Sequence, residues 1–404
     1  MAAALAAATG QARRERRDLA LLSAGMLVSV AGDAAALIAL MLELRTAGAG
    51  WVAGVLAAEL VPFVVFASPS GRLVDRVDNR RLLVVALTAQ ALVVVPLAFV
   101  RTPGLVVALV FTLAGVSTMV RPAVNSMVPA LTGEQRAPTG YAWVATGSGI
   151  GWIVGPAAGG LLTAAFGVTS ALLVDAVSFV VLAAACRLLS TTRGRPIDTA
   201  APSSRRGGMP ILWRDTVLRW SVLVTALAVT CAVVDNVAAP FRFIDQLGAT
   251  STGYGFYLAL WGVGALGGAQ LPRRLPASLI PVALAVGNAL TGLGILGIGI
   301  APGVAVAFAA SAFGGVGNGI ANVSINALVS GRVPVDERGR AFASVGALIQ
   351  AGTGIGTIAA APLVAALSAG PAMAVAGAAA AAIAGSTIGW TVISGRRQHW
   401  APDH

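Results

Sequence analysis

Ionisable side chains stand inside long apolar runs at Asp33, Glu59, Arg121, Asp175 and Asp235, and Asn236 sits beside the last of these. A charge at the centre of a lipid bilayer costs about 2.5–3.5 kcal/mol on insertion scales, so such residues mark function by default. A carboxylate in a low-dielectric cavity holds a proton more readily than one in water. It could carry that proton inward while another solute leaves, or a cationic solute could compete for it directly. The plainer alternatives are helix packing or arginine pairing for Asp33, a local structural contact for Asp175, and charge balance for Arg121. Asn318, Asn322 and Asn326 recur at every fourth position, which places them in one polar stripe on a helix. Gln350 and Trp261 could complete a mixed polar and aromatic pocket, although packing accounts for Trp261 equally well.

Other chemistry is excluded by residue type. All 27 basic residues are arginine, so a phosphate-binding loop of the G-x-x-x-x-G-K-[ST] kind is absent. The two histidines, His399 and His404, lie in the C-terminal tail. A histidine metal site or a serine–histidine hydrolase within the apolar part is therefore not expected. Cys186 and Cys231 sit in apolar stretches and read as small hydrophobes. No catalytic residue, metal or cofactor is expected, and the chain does not read as an enzyme.

The elements that position these residues follow from composition. The chain has 404 residues, 57% hydrophobic and 11% charged, with a mean hydropathy of +0.84. Soluble domains carry roughly a quarter charged residues, so lipid is the expected solvent. Apolar runs recur at 19–44, 50–69, 82–100, 103–130, 139–165, 168–190, 218–246, 252–271, 278–300, 303–329, 339–367 and 370–393. Each is long enough for a membrane helix of about 20 residues. Residues 1–18 end in a basic cluster and precede a run too long for a signal peptide, so they read as a tail.

Arginine counting gives an orientation. With the N-terminus in the cytoplasm, only Arg45, Arg101 and Arg242 fall at the outer side. Both termini are then cytoplasmic in a multi-pass protein of the cell membrane. The net charge of +11 becomes a topology signal rather than a sign of nucleic-acid binding. The expected organisation is a tail at 1–18, a six-helix bundle at 19–190, a flexible cytoplasmic linker at 191–216, a second bundle at 217–393 and a tail at 394–404.

The halves are related by an internal repeat. Val128-Pro129 and Gly147-Ser148-Gly149-Ile150-Gly151 recur 205 residues later as Val333-Pro334 and Gly352-Thr353-Gly354-Ile355-Gly356. An even number of spans in each half gives parallel repeats about an axis along the membrane normal.

One loop and one helix carry a family resemblance. The segment after the second span contains Gly71, Asp75, Arg76, Arg80 and Arg81, with Asp78 where a second glycine is usual. It resembles the signature loop of the major facilitator superfamily, G-x-x-x-D-R and a basic cluster. Gly71 would permit close helix approach, and Asp75 would accept charge-assisted hydrogen bonds. The resemblance implies a conformational latch between the halves. The counterpart Gly267–Arg274 has lost the acid. In the fifth span, Gly151, Gly155, Pro156, Gly159 and Gly160 are similar to a motif associated with exporters of that superfamily. Glycines at every fourth position make a smooth stripe, and Pro156 permits a bend; plain small-residue packing would use the same glycines.

Residues 155–179 and 333–340 resemble the branch of macrolide and enterobactin exporters. The resemblance implies that the first, fourth, seventh and tenth spans line a central cavity. Asp33, Glu59, Arg121, Asp235, Asn236, Asn322 and Gln350 then become the candidates for proton coupling or the substrate cavity. Arg121 departs from the usual arginine motif of the fourth span, so no proton-relay role is carried over to it. The expected protein is an all-α transporter of twelve membrane helices in two six-helix bundles. It would act as a monomer, powered by the proton gradient, and export small amphipathic or hydrophobic molecules such as drugs, antibiotics or siderophores. The alternative is an importer or facilitator of another small solute on the same fold.

Overall fold

Without water to satisfy backbone groups, a chain in lipid closes its hydrogen bonds within each segment. The structure, a computed structural model, describes residues 2–189, 209–334 and 337–387, without the side chains of 2–13, 67, 68, 75 and 134. Among these residues there is no strand. The chain divides into two compact units, 1–201 and 202–404. The division falls inside the segment expected to link the halves; residues 190–208 and 388–404 lie outside the described ones, and with them the C-terminal tail at 394–404.

The N-terminal unit comprises α1 (Ala2–Leu44), α2 (Ala49–Val65), α3 (Ala67–Arg76), α4 (Asn79–Leu97), α5 (Pro103–Ser117), α6 (Val120–Thr132), α7 (Ala137–Phe166) and α8 (Val168–Leu188). The C-terminal unit comprises α9 (Met209–Arg214), α10 (Thr216–Ala232), α11 (Val234–Pro240), α12 (Ser251–Gly268), α13 (Ile280–Ile300), α14 (Val304–Arg332), α15 (Arg338–Leu367) and α16 (Ala369–Gly385). Nine helical stretches among the described residues are long and apolar enough to cross a membrane, and α2 and α16 are shorter apolar helices. With α12, they account for all twelve expected spans.

Four differences from the sequence reading have local causes. Helix α1 takes in residues 2–18, because alanine is the strongest helix former. The expected signature loop is mostly helix: Gly71–Arg76 belong to α3, leaving Val77 and Asp78 as the connection. Asp78, the residue in place of glycine, caps α4 by accepting from Arg81 N at 3.1 Å. The fourth span breaks into α5 and α6, since Pro122 has no N–H for the carbonyl of Thr118. The Thr118 side-chain hydroxyl lies 2.6 Å from the Ser70 hydroxyl on α3. Finally, the expected linker ends early. Ile211 and Leu212 of α9 are buried with Leu328 and Val329 of α14, and Asp215 both caps α10 and pairs with Arg332 at 2.7 Å.

Each unit repeats one pattern of helix pairing. In the first, α1 packs on α7 and α8, α4 on α8 and α5, and α2 on α5. In the second, α10 packs on α15 and α16, α13 on α16 and α14, and α12 on α14. These are the same five pairings under the repeat, so the duplication seen in the sequence extends to packing.

Glycines set the closest of these contacts. Gly147, Gly151, Gly155 and Gly159 of α7 face Ser23, Leu27, Ala31 and Ala35 of α1, two matched stripes of every-fourth residues. A Cβ on Gly159 would lie 2.6 Å from both Cα and O of Ala35. A Cβ on Gly149 would meet nothing within 4 Å. Gly159→Val is therefore expected to destabilise the protein by about 1–3 kcal/mol, the range for overpacking. Gly149→Val is expected to be neutral. Thermal unfolding in detergent, followed by size-exclusion of the fluorescently tagged protein, checks the contrast; equal melting of the two variants would contradict it.

Candidate functional site

The described groups that could meet a solute or a proton gather at two places, one in each unit. In the C-terminal unit the break between α10 and α11 falls at Val233. It puts Asp235 in the first turn of α11, where the helix dipole favours an acid. Asp235 is only 6% exposed. Its Oδ2 accepts a hydrogen bond from the Tyr257 hydroxyl of α12 at 2.6 Å, and its buried Oδ1 has no hydrogen-bond partner. Tyr257 is itself held: its ring stacks on Phe243 with centroids 4.4 Å apart, and Ser311 of α14 donates to its carbonyl at 2.8 Å.

These residues border a cavity of about 210 Å³ among α10–α14. Asn236, Trp261, Asn288, Thr291 and Asn318 complete its polar and aromatic wall, and alanine, valine, leucine and isoleucine side chains the rest. Among the described residues no arginine lines it. Asn288 donates its amide to Thr225 at 3.0 Å. The Trp261 indole lies over Gly314, where a Cβ would come 2.8 Å from the ring.

In the N-terminal unit Asp33 on α1 lies near Glu59 on α2 and near Asp175 on α8. Asp175 is fully buried. It accepts from Ser178 at 3.2 Å through Oδ1, while Oδ2 has no hydrogen-bond partner. Gly32 makes room for it, since a Cβ there would lie 2.7 Å from Asp175 Oδ1. The sequence reading gave Asp175 a local contact; the structure gives it Ser178 and, in addition, the neighbourhood of Asp33.

The remaining candidates are dispersed. Arg121 is exposed on the first turn of α6. Asn322 and Gln350 are exposed on α14 and α15. The asparagine stripe is internally bonded: Asn322 donates to Asn318 O at 2.9 Å, and Asn326 to Asn322 O at 2.7 Å. Arg76 and Arg81 are exposed. Arg80 donates to the carbonyl of Arg187 at the end of α8. A Cβ on Gly71 would meet no described atom of its own unit within 4 Å. The Asp75 side chain lies outside those described. Gly151, Gly155 and Gly159 pack on α1, with Pro156 and Gly160 also buried.

Tyr257, Asn288 and Thr225 were not singled out from the sequence. The available signal was Tyr254 and Tyr257, two of the chain's three tyrosines, one turn apart in an apolar run. A phenol in such a run needs a polar partner for its hydroxyl.

A family model described as Major Facilitator Superfamily matches residues 18–357. The chain is similar to an uncharacterized MFS-type transporter of Bacillus subtilis, YfiS, at 25% identity over 297 residues, covering 70% of this chain and 71% of that protein. It is also similar to the multidrug efflux pump Tap of Mycobacterium tuberculosis, at 27% identity over 361 residues, covering 83% of this chain and 84% of that protein. Among solved structures, the nucleoside transporter NupG aligns with a TM-score of 0.77 at 12% identity, covering 92% of this chain and 99% of that one. A bacterial homolog of the human lysosomal transporter Spinster aligns with a TM-score of 0.74 at 11% identity, covering 96% and 99%. At these identities the structures share the fold alone.

The Tyr257–Asp235 bond has a measurable consequence. Tyr257→Phe is expected to cost about 1–3 kcal/mol of stability, because it strips a buried acceptor of its donor. In an Asp235→Leu background the same change is expected to cost far less, since the acceptor is already gone. A double-mutant cycle on thermal unfolding measures the difference, and strict additivity would show that the two side chains do not interact.

Proposed function

The chain belongs to the major facilitator superfamily, and from that premise we propose that this membrane transporter is a proton-coupled exporter of small amphipathic or hydrophobic molecules. The observation that carries the direction is the similarity to the efflux pump Tap along 83% of the chain. The glycine and proline pattern of α7, similar to that of exporters, supports it. Proton coupling is supported by carboxylates buried in both units: Asp175 beside Asp33 in one, and Asp235 in the other. A carboxylate among apolar helices can take up and release a proton as its surroundings change between apolar and polar.

In this reading the protein works as a monomer without a cofactor, in the cell membrane, with the proton gradient as its energy source. Alternating exposure of the binding cavity would let protons enter as substrate leaves, so that neither flows without the other. The arginine distribution supports cytoplasmic termini. A green fluorescent protein fused after residue 404 is then expected to fluoresce in the intact bacterial host, and an alkaline phosphatase fused there to be inactive. The opposite pattern would invert the topology.

Transport direction is decided in everted membrane vesicles. An acid-inside gradient is expected to drive accumulation of a fluorescent amphipathic dye, and a protonophore to abolish it. Accumulation confined to right-side-out vesicles would favour an importer. Asp33→Asn and Asp235→Asn are each expected to uncouple accumulation from the gradient while leaving the protein folded. If both variants pump with the wild-type gradient dependence, the coupling assignment fails.

A further inference from the structure

We propose that the cavity of the C-terminal unit is a binding site for an organic ammonium group, which seats its positive charge against Asp235 and its apolar surface on Trp261. The inference rests on the reading of the protein as an exporter of amphipathic solutes, and it narrows their class.

Four observations point to a cation with an organic shell. First, among the described residues Asp235 is the only acid lining the cavity, no arginine lines it, and one carboxylate oxygen has no hydrogen-bond partner. A buried carboxylate with a single neutral donor is incompletely satisfied, and a ligand cation would complete it. Second, Trp261 lines the wall, and aromatic faces attract ammonium groups. Third, the amide nitrogen of Asn288 is turned to Thr225, which leaves its carbonyl oxygen as the group available to a ligand. Fourth, the volume of about 210 Å³ and the aliphatic remainder of the wall suit an alkylated nitrogen. A proton alone needs neither a cavity nor a ring. A hard metal ion would demand a shell of about six oxygens, and the aliphatic wall here does not supply one.

Two residues hold the site in shape. Tyr257 orients the carboxylate by binding its other oxygen, and is fixed in turn by Phe243 and Ser311. Gly314 leaves room for the Trp261 indole, since a Cβ there would come 2.8 Å from the ring. Both act as positioning residues for the ligand charge.

The test uses tetraethylammonium as probe and the purified full-length protein in detergent, with binding measured by titration calorimetry. The wild type is expected to bind it. Asp235→Asn is expected to weaken binding by about tenfold or more, as removal of a charge-assisted contact does. Trp261→Leu is expected to weaken it by a smaller factor, and choline is expected to bind where its uncharged isostere 3,3-dimethylbutan-1-ol does not. Should Asp235→Asn fail to fold, Trp261→Leu and the isostere pair carry the test. No binding by the wild type, Asp235→Asn within about twofold of it, or equal binding of the isostere would overturn the proposal. If these tests fail while everted vesicles still accumulate dye, the ammonium site falls and export stands. If the cation binds as expected but no vesicle accumulates substrate, the site stands and export falls.

Discussion

Two helices in lipid gain little from hiding apolar side chains from each other, because the lipid tails are equally apolar. What they gain is dispersion contact, and this depends on how closely their backbones approach. The architecture here is built on that approach. The stripe from Gly147 to Gly159 lets α7 lie on α1, and Gly352 and Gly356 do the same for α15 against Ala226 and Thr230 of α10. In the C-terminal unit the glycines are reciprocal: Gly264 and Gly268 of α12 abut Ala312 and Val316 of α14, whose own Gly315 and Gly319 abut Trp261 and Ala265. Helix α13 is joined likewise to α14 through Gly287 and Gly317, and to α16 through Gly292 and Gly377. Helices held by backbone contact are rigidly fixed, which is what allows a few polar side chains to be held in place among them.

Those polar side chains are deployed differently in the two units, although the helix pairings match. In the N-terminal unit Asp33 lies near Glu59 and near Asp175, and Gly32 leaves space for the Asp175 carboxylate and Ser178. In the C-terminal unit Asp235 stands apart, held by a phenol and bordering a cavity with aromatic walls. The two units thus share a scaffold and differ in how their acids are surrounded: several acids near one another in one, a single acid bonded to a phenol beside a cavity in the other.

The twelve spans and the duplication were legible from hydropathy and the 205-residue offset, because lipid imposes length and composition on every spanning helix, and the family was legible from the motifs at Gly71–Arg81 and Gly151–Gly160. Local breaks were harder. Residues 103–130 read as one continuous span, yet the helix divides at Thr118, whose carbonyl finds no N–H on Pro122. The segment Gly71–Arg76 read as a loop because it is polar, although Ser70 N and Val77 N keep helical bonds to Phe66 O and Leu73 O. The function of Tyr257 depends on Asp235, 22 positions earlier, and on Ser311, 54 positions later. No local pattern encodes that meeting. The exporter-like glycines were legible as a stripe, but their partner, α1, was not.

The seventh span shows how such a scaffold positions one of these side chains. Pro240 has no N–H to continue the ladder, and the chain after it, Phe241–Gln246, adopts a π-helical turn. Arg242 on that turn donates to Ile298 O at 3.1 Å and Ala301 O at 2.6 Å, the closing carbonyls of α13. Gln246 accepts from Gly370 N at the start of α16. This end of the span is therefore tied to two neighbours. At the other end, α10 is held by Asp215 and Arg332. Asp235 therefore lies between two departures from regular α-helix: the turn at Val233, where Asn236 N closes onto Val233 O at 3.0 Å, and the π-helical turn at Phe241–Gln246. The neighbouring helices tie down the far side of that second departure, and this fixes where the chain around the carboxylate can run.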